Sequence, residues 1–315
     1  MKENKYIKEI TSVFQIHNND RYECHKIAKD ILKRAAADKE FLFEIIRYNL
    51  SDPEFVQKKR HYSTLSLPII NTPDFNMVIN VFPPLPDRRT DISFQSIHQH
   101  GNLLLTTASV FGPGYESIVY KKNYGIDPAT FITKMEKEKI YTFKSGEVEF
   151  IDAFTPHVVF YPPSISATLA LWSNKTKTNS EGLKKLSVLQ KFKDPIKKIL
   201  KFIGLSKSFN INEIIFFDFY PEKGKLYALK ERLVYNFIGS NDNFIQNIFH
   251  FIQSCGFQDE NFLLELQKND FISPFTKTII EKFIKKEPIK DDFLKEHLNI
   301  PKVNLSKKEL LGTVM

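Results

Sequence analysis

The stretch Ser96-Ile97-His98-Gln99-His100-Gly101 has a spacing that can do chemistry. It closes a run, beginning at Ile92, that reads as a β-strand. Side chains two apart on a strand share a face, so His98 and His100 point the same way, with Phe94 and Ser96 behind them. Two imidazoles on one face are half of a metal site, and neutral imidazole suits Zn, Fe, Ni or Cu. A third ligand is expected from a strand passing nearby. His157, in Phe154-Thr155-Pro156-His157-Val158-Val159-Phe160, is placed to supply it.

The elements that must position these rings can be read from periodicity and punctuation. Residues 1–60 have helical spacing. Ile27, Ile31 and Leu32 fall on one side, Asp38 is a helix cap for the stripe Phe41, Phe43, Ile45, Ile46 and Leu50, and Ser51-Asp52-Pro53 stops one helix and starts another. From Ser63 the pattern changes to short apolar runs broken by Pro and Gly. Strands are expected over Leu65–Ile70, Phe75–Phe82, Ile92–His100, Leu103–Phe111, Tyr115–Tyr120, Ile140–Phe143, Glu147–Ile151, His157–Tyr161 and Ala167–Trp172, with a short helix at Pro128–Lys137. About eight to ten short strands in roughly 110 residues fit a jelly roll.

Beyond 175 the composition shifts again. Apolar residues recur at helical spacing from Leu183 to Ile203. The opposite face carries Lys184, Lys185, Lys191, Lys193, Lys197, Lys198, Lys201 and Lys207 against Asp194 alone, a cationic excess nearly equal to the net charge of +8 for the whole chain. Three readings apply to this face: lysines solvated on a helix packed against the barrel, contact with anionic lipid, or contact with an acidic protein or nucleic acid. Ile214–Tyr220 and Lys225–Tyr235 read as a hairpin whose second arm has a helical alternative. Helices follow at Asn241–Cys255, stopped by Gly256, at Leu263–Lys268 and at Thr276–Lys286, then a loose tail after Pro301. The resulting organisation is a helical segment 1–62, a β-barrel 63–175 and a basic, mainly helical extension 176–315 packed on the barrel.

Ser-Ile-His98-x-His100 at a strand end, with His157 57 residues later and the strand Ala167–Ser173 after Pro162-Pro163-Ser164, resembles the cupin fold. Within it, the arrangement is similar to the three-histidine cysteine (thiol) dioxygenase-like branch. The resemblance covers about residues 60–175 and implies one Fe(II) held by His98, His100 and His157, with O2 as co-substrate. Many cupins place a Glu shortly after the second His, and 101–105 contains none, as in the three-histidine branch. The family's substrate-binding Arg has no counterpart in Tyr62–Leu65, although Arg60 is near. Its Ser-x-His-x-Tyr set reads Thr168, Ala170 and Trp172 here. The metal pattern is retained and the recognition set for free cysteine is not.

Further candidates surround this core. Glu116, after Gly112-Pro113-Gly114-Tyr115, is a fourth ligand or catalytic carboxylate if its strand runs beside His100, and otherwise a solvated charge by a turn. Tyr115, Tyr120, Tyr161 and Trp172 either line a pocket or fill the core; Tyr161 and Trp172 are taken with Glu116 as the catalytic candidates. Lys58, Arg60 and His61 form a basic cluster, and Cys24 and Cys255 read as inert core thiols.

The bulk numbers exclude several classes. With 42% hydrophobic residues and 29 Phe, a substantial core is expected and disorder is not. Two cysteines make no disulfide framework, the N-terminus has no signal-peptide pattern, and no 18-residue apolar run exists, so a cytoplasmic protein without a membrane span is expected. A pI near 9.1 invites an anionic contact, but no nucleic-acid motif is present. The expected function is a mononuclear non-haem metal oxygenase, with Fe(II) as cofactor and a small organic substrate. A non-catalytic metal- or ligand-binding module and an isomerase or epimerase are the alternatives.

Overall fold

In the computed structural model, the residues described are 1–17, 20–57, 65–94, 96–144, 146–173, 215–220, 223, 225–228, 240–291 and 306–312. The lysine-rich stretch 183–207 and the cluster Lys58, Arg60, His61 lie outside them.

Four helices lead the chain: α1 (Lys5–Ile16), α2 (Arg21–Ala37), α3 (Lys39–Leu50) and α4 (Pro53–Gln57). Asn4, Asp20 and Asp38 cap the first three through their side-chain oxygens, and Pro53 opens the fourth. Twelve strands follow: β1 (Leu65–Asn71), β2 (Phe75–Phe82), β3 (Ile97–Gln99), β4 (Leu104–Phe111), β5 (Tyr115–Tyr120), β6 (Ile132–Thr133), β7 (Lys137–Phe143), β8 (Val148–Ile151), β9 (His157–Val159), β10 (Ser166–Ser173), β11 (Ile215–Tyr220) and β12 (Lys225–Ala228). Four helices complete the described residues: α5 (Asn241–Ser254), α6 (Glu260–Gln267), α7 (Pro274–Ile284) and α8 (Lys307–Gly312).

The strands form two antiparallel sheets, β1-β2-β10-β4-β8 and β6-β12-β11-β3-β9-β5-β7. Removing β1, β6, β11 and β12 leaves β2-β10-β4-β8 facing β3-β9-β5-β7. That order, with successive strands passing back and forth between sheets, is the jelly roll of two interleaved Greek keys on which cupin-type folds are built. The fold is therefore a cupin-type jelly roll with helices before and after it.

Alternation along the strands assigns the faces. On β2, Phe75, Met77, Ile79 and Val81 turn outward, where α1–α3 and α5–α7 cover them in one large core. Asn80 and Phe82 turn into the barrel. The outer face of the second sheet is apolar too: Ile97, Ile118, Val158 and Phe160 meet Phe217, Leu226 and Leu310 in a second core. Apart from the exposed edge strand β7, both sheets bury most of their outer faces, and polar side chains line the interior.

Three expectations change. Pro128–Lys137 is not a helix. Asp127 caps a single turn by accepting from the Ala129 and Thr130 amides, Phe131 takes φ +59°, and β6 pairs with β12, so cross-strand bonding overrides local helical tendency. The run Ile92–His100 is not one strand. Ile92 and Ser93 make separate bridges to Ser306 and Phe160, and the ladder begins at Ile97. The tail is not loose over its described part, for Ser306 bridges Ile92 and Leu310, 1% exposed, enters the second core.

Candidate metal centre

Two strands position the three histidines. His98 lies on β3 directly opposite His157 on β9, and His100 follows one turn of the pleat later on the same face as His98. Gly101, at φ +59°, turns the chain away immediately afterwards, and the Phe154 amide donates to its carbonyl at 2.8 Å, tying this turn to the loop before His157. One potential ligand nitrogen from each ring lies within 4.8 Å of the other two. Ring centroids are 4.3 Å apart for His98 and His157, 4.7 Å for His100 and His157, and 4.8 Å for His98 and His100.

The hydrogen bonds around the rings fit a metal. Nδ1 of His98 lies 3.1 Å from the Ser96 carbonyl and Nδ1 of His157 lies 3.1 Å from the Thr155 carbonyl. A carbonyl only accepts, so each Nδ1 carries the proton and donates, leaving Nε2 as the lone-pair donor. Nδ1 of His100 is buried without a hydrogen-bond partner among the described residues. Burial and mutual repulsion hold His98 and His100 well below the usual imidazole range, and burial takes His157 down to about 4. All three rings are therefore neutral at pH 7, the form that binds a transition metal.

The cluster forms part of the wall of a cavity of about 280 Å³ between the two sheets. Trp172 on β10 lines it, its ring 4.6 Å from His100. Tyr115 lines it as well. Phe216 of β11 stacks on His98 at 5.8 Å and 26°, and next along the same face Ser96 donates to the buried Asp218 at 2.5 Å. No Lys or Arg is among the described lining residues.

Glu116 is not in this cavity. It lies between the inward-facing Tyr115 and Ser117 on β5, so the pleat turns it outward, where it pairs with Lys307 of α8. Tyr161 is not in the lining either; it is buried in the first core with its ring 4.9 Å from Phe94. Tyr120 belongs to the second core. Cys24 and Cys255 are buried free thiols, pushed up by burial to about 11 and about 12.

Two residues escaped the sequence reading. Glu149 on β8 lines the cavity, is 7% exposed and has a buried Oε1 with no partner. Burial raises its carboxyl to about 7. Its strand phase, shared with Ile151, was the available signal, but the other face carries the apolar pair Val148 and Phe150, which alternation alone would turn inward. His25 of α2 is the other. Its ring joins Thr106 Oγ1 at 2.7 Å and Ser173 Oγ at 2.6 Å, and burial lowers it to about 3, which makes it a neutral clamp between helix and sheet.

No family model matches the sequence, and no curated protein matches it significantly. Solved structures that overlay part of the chain include a Klebsiella pneumoniae protein with a double-stranded beta-helix domain (10% identity, TM-score 0.25, 39% of this chain and 88% of that one). The cupin domain of Schizosaccharomyces pombe Cnp3 overlays at 8% identity and TM-score 0.25, covering 38% and 68%. The DMSP lyase DddQ from Ruegeria pomeroyi overlays at 12% identity and TM-score 0.25, covering 38% and 49%, so the chain spans about half of that lyase. The jelly-roll assignment rests on the strand order itself. Among the described residues, no helix is long and apolar enough to cross a membrane.

Proposed function

We propose that the chain is a mononuclear metal enzyme in which His98, His100 and His157 hold one ion, Fe(II), beside a small organic substrate that is oxidised by O2. The observation that carries this reading is the convergence of three neutral imidazoles, two oriented by backbone carbonyls, on one wall of a cavity between the sheets. When bound, Fe(II) supplies the redox chemistry that O2 requires. The chain's own residues do the rest. Ser96 and Thr155 fix the ring orientations through their carbonyls. Phe216 and Trp172 press against His98 and His100 and exclude water from that side. Thr168, Trp172 and the absence of a described Arg in the lining favour a substrate other than free cysteine.

A second reading is favoured by Glu149. A carboxyl near neutrality inside the same cavity can accept and return a proton, as an isomerase or epimerase requires, and such a reaction needs no O2.

Elemental mass spectrometry on protein purified without a chelating tag tests both. One equivalent of iron per chain is expected, lost in the His98→Ala/His100→Ala double variant, with O2 uptake when the iron form meets its substrate. Turnover under argon would favour the proton-transfer reading. Wild-type protein that takes up no metal even after incubation with Fe(II) would reject a metal enzyme altogether.

A further inference from the structure

Glu149 is buried in the same cavity as the histidines, and nothing in the metal reading requires it. Its side chain makes no hydrogen bond or ion pair with any described residue, and it is not among the groups near enough to share an ion with the histidines. Among the described residues the cation that acts on it electrostatically is Lys139, which is exposed on β7 and bonded to Tyr141. An uncompensated buried carboxyl costs stability, since its charged form has lost water and gained no partner. Such a cost is explained if the partner arrives with the ligand.

The surroundings specify that partner. The lining offers aromatic faces, Phe82 and Tyr115 at 4.8 Å from each other with Phe94 5.5 Å from Phe82, and Trp172 further along the cavity. A carboxylate that shares a cavity with aromatic rings, with no described Lys or Arg in the lining to compete, attracts a small organic cation through both a charge-assisted hydrogen bond and the ring quadrupoles.

We infer that Glu149 is the substrate-recognition residue of this cavity and binds the ammonium group of a compact organic amine, whose other end reaches the histidine cluster. This rests on the reading of the cavity as a substrate site and names the class of substrate. The volume of about 280 Å³ lies at the small end of the range for small-molecule sites and suits a compact ligand.

Trp172, the chain's single tryptophan, lines the cavity and reports its occupancy. The test is a fluorescence titration of the full chain at pH 7 with n-propylammonium, propionate and 1-propanol, with the metal content of every sample measured. n-Propylammonium is expected to shift Trp172 emission saturably and to bind about tenfold or more tighter than the other two. Glu149→Gln should weaken it by about tenfold or more at unchanged metal content, Glu149→Asp should keep a preference for the cation over 1-propanol, and the exposed Glu147→Gln should match wild type. Equal affinity for all three probes, no saturable change with n-propylammonium, or wild-type affinity in Glu149→Gln would overturn the inference. So would loss of metal in Glu149→Gln, which would make the carboxyl a ligand. Wild type that takes up no metal after incubation with Fe(II) and still binds n-propylammonium through Glu149 would reject the metal-enzyme reading and keep this one.

Discussion

Burial acts in opposite directions on the two kinds of titratable group inside the barrel. Desolvation penalises charge, so it lowers the imidazoles and raises the carboxyl. The histidines are thereby prepared for a cation without competing protons. Glu149 carries a stability cost that depends on pH. Its carboxyl is raised from 4.5 to about 7 in the fold, so the folded state binds the proton more tightly than the unfolded chain does. The cost is absent below pH 4.5, where both states hold the proton, and reaches its full size as pH rises through 7. Glu149→Gln, neutral at every pH, should therefore be more stable than wild type at pH 8 by up to about 3 kcal/mol, at about 1.36 kcal/mol per pKa unit. The gain should vanish near pH 4. Urea unfolding of the metal-free protein at both pH values measures it, and a pH-independent difference would sink the argument.

At the scale of elements, a hairpin and a turn set the geometry of the cavity. The hairpin is β11–β12. It joins the barrel by pairing Ile215, Phe216 and Phe217 with Gln99, His98 and Ile97, which places Phe216 against the His98 ring. Groups behind a ligand tune its affinity. Phe216→Ala should lower metal affinity by about tenfold while leaving the circular dichroism spectrum unchanged; competition with a metal-responsive dye would measure it, and unchanged affinity would show that the stacking is incidental. The turn is the one joining β4 to β5. Gly112 has φ +87°, and a Cβ there would sit 2.3 Å from the Ile165 carbonyl oxygen and 2.8 Å from the Ser166 Cα. Backbone, not a flexible side chain, blocks it, so Gly112→Ala combines a left-handed strain with a clash at the start of β10. We expect a loss of about 2 kcal/mol or more in urea unfolding. A loss under about 0.5 kcal/mol would mean that the turn relaxes freely.

Across the whole molecule, the jelly roll is flanked by two apolar cores, and the second depends on chain far beyond the barrel. Ile97, Ile118, Val158 and Phe160 are covered by Phe217, Leu226 and Leu310. β3, which carries His98 and leads directly to His100, would be a sheet edge without β11. A fragment ending at Ser173 should accordingly aggregate on expression, since it would present both an unpaired edge and an apolar face. A monomeric fragment 1–173 that binds metal as the full chain does would refute this role for the C-terminal strands.

What could be read from residues alone was what local rules govern. Asp38 and Pro53 announce helix starts because capping involves neighbours in sequence. His98 and His100 share a face because the pleat has period two, and the turns at Gly and Pro mark most strand ends. His157 could be nominated only by position and by resemblance. Its place opposite His98 is a pairing across 59 residues, made when two strands meet in a sheet. Glu116 and Glu149 show the same division. Glu116 sits on a strand largely buried on both faces and Glu149 lies opposite the apolar pair Val148 and Phe150, so alternation alone could not say which face looks into the barrel. Packing of the helices on one sheet and of β11, β12 and α8 on the other decides that. It sends Glu116 outward to Lys307 and leaves Glu149 inside, because only the assembled layers define an interior.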